Sequence, residues 1–327
     1  MASNIQTSRG WLTELPLWTI LAPVIAGIVM AVAAFGWVAG GWFVAVIALS
    51  LAGSVFAAVH HAEVVAHRVG EPYGTLVLAL AVTLIEVALI VSLMIAGGEE
   101  AAALARDTVF AAVMIILNGI IGLCLLVGGL KHNEQSFSLD GVSAALVALG
   151  AIVVLTLVFP NYTVTTPGPY YSPSQLVLIA IVSLVIYGAF VFAQTIGHRG
   201  IFVPEDPAEA QHAPPPSNGV TAASAVLLLA CLTAVVLLAK KLAPSLEDAV
   251  AHVGAPNAVV GVIIAAIVLL PEGLAAVRAA RANRLQTSLN LALGSALASI
   301  GLTIPTVSIL SLYMQTRLVL EIGRAHV

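Results

Sequence analysis

Glu86 and Glu272 are the residues of this chain whose placement most demands a chemical reason. Each is the sole charged residue of an apolar run long enough to cross a bilayer, residues 73–95 (YGTLVLALAVTLIEVALIVSLMI) and residues 257–277 (NAVVGVIIAAIVLLPEGLAAV). An ionisable group at membrane depth is unfavourable by about 3 kcal/mol on insertion scales, so it serves a binding site or a proton pathway more often than the fold. Two such carboxylates brought together could hold a cation, protons, or each in turn. Burial and a neighbouring like charge favour the protonated form, whereas a bound cation favours the ionised one. One site that holds either species is the core of an antiporter, and it needs no second pathway.

Neighbouring residues add oxygen donors. Thr83 lies three residues before Glu86 and shares its helical face. Pro271 precedes Glu272 and Gly273 follows it. Proline withdraws a backbone donor and is expected to break or kink the helix here, and the freed carbonyls then need water, protein or a ligand. Asn118, in the stretch LNGIIG, is an amide in a run without charges and reads as functional. Ser288, Ser295, Ser299 and Thr303 fall in SLNLALGSALASIGLTIP, the last three at i, i+4 and i+8, with Gly294 alongside. Close packing of membrane helices explains such a stripe as readily as ligand binding does, and both readings stay open. Carboxylates, an amide, hydroxyls and freed carbonyls are hard donors that suit Ca²⁺ or an alkali cation rather than Zn²⁺ or Cu⁺. No Cys/His cluster occurs in the apolar runs. Cys124 and Cys231 both lie within them and read as small buried hydrophobes rather than a disulfide framework.

The elements that must position these groups are membrane-spanning helices. The chain has 327 residues, 60% hydrophobic and 9% charged, with a mean hydropathy of +1.07, a composition that cannot build a water-solvated surface. Apolar runs of about 20 residues are the spanning unit, and they place spans near 17–37, 38–59, 73–96, 109–130, 141–159, 175–196, 220–239, 257–277 and 286–305. A further apolar piece, 306–314, is too short to cross alone. Trp11, Trp18, Trp37, Trp42, Tyr162, Tyr170 and Tyr171 stand near span ends, as interfacial aromatics do. With the N-terminus inside, Arg9, Arg68, Lys131, Arg199, Arg278, Arg281 and Arg284 are internal, against Arg106, Lys240 and Lys241 in outer loops. The positive-inside rule therefore favours a cytoplasmic N-terminus. The first 18 residues lack the pattern of a cleavable signal, so the first run is expected to be a permanent span.

Residues 198–219 (HRGIFVPEDPAEAQHAPPPSNG) form the longest hydrophilic stretch, a Pro-rich and acidic inner linker between two halves. An ordinary solvated linker is the expectation, with His198, Glu205, Asp206, Glu209 and His212 as a candidate regulatory cation site. His60, His61 and His67 precede the Glu86 run, at its inner mouth. Interfacial solvation is the simpler reading of them, and a proton relay or pH sensor the alternative, because histidine titrates near neutrality. The two halves share a weak repeat: AHRVGEP (66–72) precedes Glu86 and AHVGAP (251–256) precedes Glu272, each Gly-x-Pro marking a helix start. Glu86 falls in span 3 and Glu272 in span 8, and an odd separation inverts the second copy, as in the inverted repeats of secondary transporters.

On HHAEVVAHRVGEPYGTLVLALAVTLIEVALIVSLM, ARDTVFAAVMIILNGIIGLCLLVGG and LLPEGLAAVRAARANRLQTSLNLALGSALASIGLTIPTV the chain resembles the bacterial ChaA-type calcium/proton antiporters, in the cation exchanger branch of the calcium/cation antiporter superfamily. The resemblance implies an all-α polytopic fold of eleven spans, one extra N-terminal helix followed by two inverted five-helix repeats. It implies that Glu86 and Glu272 are the essential acids of the two repeats, with Asn118 and the Gly294–Ser295 region as matching polar positions of the helices that follow. It also implies exchange of Ca²⁺, and of Na⁺ or K⁺ at alkaline pH, for H⁺. The expected division is residues 1–37 for the tail and extra span, 38–197 for the first repeat (spans 2–6), 198–219 for the linker, 220–314 for an incomplete second repeat (spans 7–9 and a partial piece), and 315–327 for an atypical tail. Two spans of the second repeat are missing from this count, and the tail QTRLVLEIGRAHV reads as that of a truncated or mis-terminated frame. Lipid and inorganic cations are the expected partners in the inner membrane of a bacterium, with no nucleic acid and no resident cofactor. An intramembrane hydrolase, a passive channel and an idle scaffold are the competing classes. The first typically uses aspartates, which the spans lack, and the last leaves two intramembrane acids without a purpose.

Overall fold

The structure, a computed structural model, describes residues 15–35, 40–70, 73–97, 103–168, 170–202, 215–256, 258–315 and 318–321. Among these residues every regular element is helical, and nine helices are long and apolar enough to cross a membrane. They are α1 Leu17–Ala34, α2 Gly41–Val69, α3 Tyr73–Gly97, α4 Leu104–His132, α5 Leu139–Tyr162, α6 Pro173–Gly197, α7 Asn218–His252, α8 Ala258–Arg281 and α9 Leu285–Met314. Helices are what the composition demands, since hydrocarbon offers no partner to a backbone amide and the ladder must close within the segment. The chain is thus the multi-pass, all-α membrane protein its composition implies.

The first residue of each Gly-x-Pro stretch has a positive φ. Gly70 (φ 76°) follows α2 and Gly254 (φ 70°) follows α7, each in the left-handed region that favours glycine, just before the helices bearing the two acids. The first corner is the tighter one. The Gly74 N–H donates to Gly70 O at 2.6 Å, and a Cβ on Gly74 would run into the Ala66 carbonyl.

Several elements differ from the sequence expectation. Helix α2 does not end near residue 59 but continues to Val69, so His60, His61 and His67 lie on its last turns rather than in a loop. Lys240 and Lys241 stand on α7, which runs through to His252, not in a loop. The piece 306–314 is the last part of α9, which passes through Pro305. Helix α8 likewise passes through Pro271 without a break. A proline removes one ladder bond, and the turns on either side, packed against other helices, hold the segment together. Residues 203–214, with Glu205, Asp206, Glu209 and His212, lie outside the described residues, as do Trp11, Trp37, Arg317, Arg324 and His326.

The chain divides into two compact units, residues 1–78 with 212–238, and residues 79–211 with 239–327. This division cuts across the sequence repeats, for α2 and the start of α7, the opening helices of both, belong to one unit. In that unit α1 packs along α2. In the other, α9 is the hub and packs against α4, α5, α6 and α8. Of its most apolar stretch 67% is buried, against at most 50% in any other span, although it is the least apolar of the nine. Val109, Ile116, Ile152, Ile179, Leu293 and Ile300 belong to the buried core around it. A helix richer in hydroxyls yet more buried than its neighbours turns those hydroxyls towards protein rather than lipid. Its first turns are pinned from two sides: Ser138 N–H donates to Gln286 Oε1 at 2.6 Å, and Asn290 Nδ2 donates to Phe202 O at 2.5 Å.

Candidate cation-binding site

Glu86 sits midway along α3 and is 4% exposed. The Ser299 hydroxyl of α9 donates to its Oε2, while Oε1 is buried and takes no hydrogen bond among the described residues. One member of the serine stripe is therefore bonded to the acid of α3. Ser295, one turn earlier, is half-buried, and the Thr303 hydroxyl, one turn later, is fully buried without a hydrogen-bond partner. Gly294 has open space where a Cβ would stand. Thr83 shares the Glu86 face as its spacing requires, but its hydroxyl donates to the Ala79 carbonyl at 2.9 Å, within its own helix.

Glu272 lies on α8 directly after the buried Pro271, and both of its carboxylate oxygens are buried. Gly273 is where α8 meets α4, for a Cβ there would stand 3.2 Å from Ile120 Cδ1. Ile120 closes a π turn, Ile115–Ile120, that interrupts α4 and contains Asn118. Both α8 and α9 pack against this turn. Glu86 and Ser299 are thus directly bonded, while Glu272, Asn118 and Ser295 ride on α8, α4 and α9, which pack against one another. Asn118 itself is exposed, and its amide donates to Met114 O at 3.2 Å, one turn back on its own helix.

The π turn is a feature that the sequence reading missed. Two more occur among the described residues, Val154–Val158 in α5 and Ala193–Gly197 in α6. Each of the three holds a side chain that donates to the carbonyl four residues back: Asn118 to Met114, Thr156 to Ile152 at 2.7 Å and Thr195 to Val191 at 2.7 Å. A carbonyl engaged by a side chain competes for its backbone donor, which loosens the i−4 ladder. The same back-bond at Thr83, Thr233 and Thr306 leaves a regular helix, so the mid-span polar residue is a necessary cue here and not a sufficient one. Single π turns in helices are frequent at functional sites.

The C-terminal end of α8 is also capped by its neighbours. Lys131 Nζ and His132 Nε2 both lie 2.9 Å from Arg281 O, and Gln135 Nε2 donates to Ala280 O at 2.9 Å. These contacts satisfy carbonyls that a helix C-terminus leaves open. They tie the end of α4 to the end of the helix that bears Glu272.

Residues 38–196 and 223–324 match the family described as sodium/calcium exchanger protein. The chain belongs to that family. Its relatives include y4hA of Sinorhizobium fredii, 50% identical over 331 residues, which cover 99% of this chain and 88% of the relative. The sodium-potassium/proton antiporter ChaA of Escherichia coli is 36% identical over 315 residues, covering 93% of this chain and 84% of ChaA. Among solved structures, the Ca²⁺/H⁺ antiporter protein YfkE superposes with a TM-score of 0.68 at 19% identity, over 94% of this chain and 86% of YfkE, which places the two in one fold. As a member of the sodium/calcium exchanger family the chain is a secondary transporter of the membrane, a cation exchanger and not an enzyme. Helix α1 precedes the matched region.

Proposed function

We propose that this exchanger moves Ca²⁺, and also Na⁺ or K⁺, out of the cytoplasm in return for protons, and that Glu86 and Glu272 bind cation and protons by turns. The observation that carries the reading is the state of Glu86: a buried carboxylate in a spanning helix, with one oxygen fixed by Ser299 and the other left for a ligand. A cation at Oε1 would be held by the ionised carboxylate, and a proton there would neutralise it, so the two exclude each other. Glu272 supplies the second charge a divalent ion requires. Asn118 and Ser295 supply neutral oxygens from helices packed around it, Asn118 after releasing its bond to Met114. The i+5 ladder of its turn makes that release a local change. The protein is read as residing in a bacterial inner membrane with its N-terminus in the cytoplasm.

Everted membrane vesicles test this. Respiration acidifies their interior, and adding Ca²⁺ outside should release protons, seen as recovery of a quenched pH-sensitive dye. E86Q and E272Q should each abolish the recovery at unchanged protein level, and full recovery in either variant would remove that residue from the site. The 36% identity to a sodium-potassium/proton antiporter favours a second reading, in which monovalent ions are the main cargo. Recovery with Na⁺ or K⁺ but not with Ca²⁺ would select it. Cation flux without any proton movement would instead mark a channel.

A further inference from the structure

We propose that His60 and His61 form a second proton site, separate from Glu86 and Ser299, that controls the docking of α1 on α2. The site begins with a proline. Pro23 lies inside α1, and because it has no N–H it cannot satisfy the carbonyl of Thr19 four residues earlier. That donor comes instead from another helix: His61 Nε2 lies 3.2 Å from Thr19 O, and His61 is fully buried. A carbonyl can only accept, so Nε2 carries the hydrogen and, in the neutral ring, Nδ1 is bare. His61 Nδ1 is buried without a hydrogen-bond partner, and so is His60 Nε2. The two imidazoles stand 5.8 Å apart, and Trp18 of α1 covers His60 at 5.7 Å between ring centroids.

Neutral rings suit this arrangement. A proton added at Nδ1 of His61 leaves the bond to Thr19 intact, but it creates a charged N–H in a buried position with no acceptor, beside a second imidazole. Burying an unpaired charge outweighs one strengthened hydrogen bond. The relief available is water, which enters only when α1 lifts from α2. No carboxylate on α1 can compensate, because residues 17–34 contain no ionisable side chain. On α2 the ionisable neighbours are Glu63, His67 and Arg68, and Arg68 is engaged with Pro216 O and Asn218 Oδ1 at the start of α7. Elsewhere in the same unit, among the described residues, α7 offers only Cys231 and α3 only Tyr73. Docking is therefore favoured at alkaline pH and lost as pH falls through the histidine range. Helix α2 leads through the Gly70–Gly74 corner into α3, the helix that bears Glu86, so α1 is placed to report cytoplasmic acidity to the exchanger.

The experiment uses Trp18 as its reporter in the full-length chain with W11F, W37F and W42F, reconstituted in liposomes. Its emission wavelength should shift to the red in one step on acidification between about pH 8 and about pH 5, the range in which histidine titrates. H61Q keeps a donor for Thr19 without a titrating ring and should stay at the docked wavelength throughout. H61N, whose amide is too short to reach Thr19, should stay at the undocked wavelength throughout. A parent protein with no step, or a step of parental size in either variant, overturns the proposal. The readout is independent of transport, so a protein that exchanges nothing yet shows the step would contradict the reading of Glu86 and Glu272 and leave this one standing.

Discussion

Ser299 bonds one oxygen of Glu86 and leaves the other without a partner among the described residues. Its hydroxyl donates to Oε2, and a donor on a carboxylate stabilises the ionised form that a cation needs. S299A should therefore raise the cation concentration for half-maximal exchange by about tenfold or more, as expected from the roughly 1.5–3 kcal/mol of a hydrogen bond to a charged group. S299T should restore it, because the hydroxyl returns. Cation titrations of proton release in vesicles measure both, and a half-saturation that S299A leaves unmoved would show the bond to be incidental. The acid itself was legible in the sequence, for a lone charge in an apolar run is conspicuous. The identity of its partner was not. Four hydroxyls shared one helix at helical spacing, and only the placement of α3 against α9 selects Ser299. Thr83 shows the converse, since spacing put it on the right face and its own backbone then claimed its hydroxyl.

Helix α9 organises the elements, and glycine sets how closely others approach it. A Cβ on Gly301 would stand 2.9 Å from Tyr187 Cβ, a part of the ring's attachment that cannot swing aside, whereas a Cβ on Gly294 meets nothing within 4 Å. G301A should destabilise the protein by about 1–3 kcal/mol through overpacking, and G294A should stabilise it by up to about 1 kcal/mol, as Gly-to-Ala does where the helix has room. Thermal unfolding of the two variants in one detergent reads the contrast, and equal melting temperatures would contradict the α6–α9 packing. At this scale the sequence was a good guide to the existence of spans and a poor guide to their interruptions. Pro271 and Pro305 look like breaks in a linear reading and are carried within continuous helices, where packing outweighs one missing ladder bond. The π turns leave no apolar signature at all, because one extra residue in a turn hardly alters the hydropathy or length of a span, and a mid-span Asn or Thr is the only trace.

For the molecule as a whole, the order of spans and their all-helical class follow from hydropathy, which reports the solvent a segment must meet. What hydropathy cannot report is how spans combine. Helix α2 and the first part of α7, to Leu238, belong to one compact unit, and the helices bearing the acids and their partners lie largely in the other. The burial of His61 was not legible for the same reason, as burial by a neighbouring helix is a tertiary fact. The central claim remains that a cation and protons compete for Glu86 and Glu272, and it can be measured without a membrane. Purified protein in weakly buffered detergent solution is mixed with Ca²⁺, and the pH is followed. The account predicts prompt acidification that saturates with Ca²⁺ and is lost in both E86Q and E272Q. No acidification, or acidification of undiminished size in either variant, would contradict it.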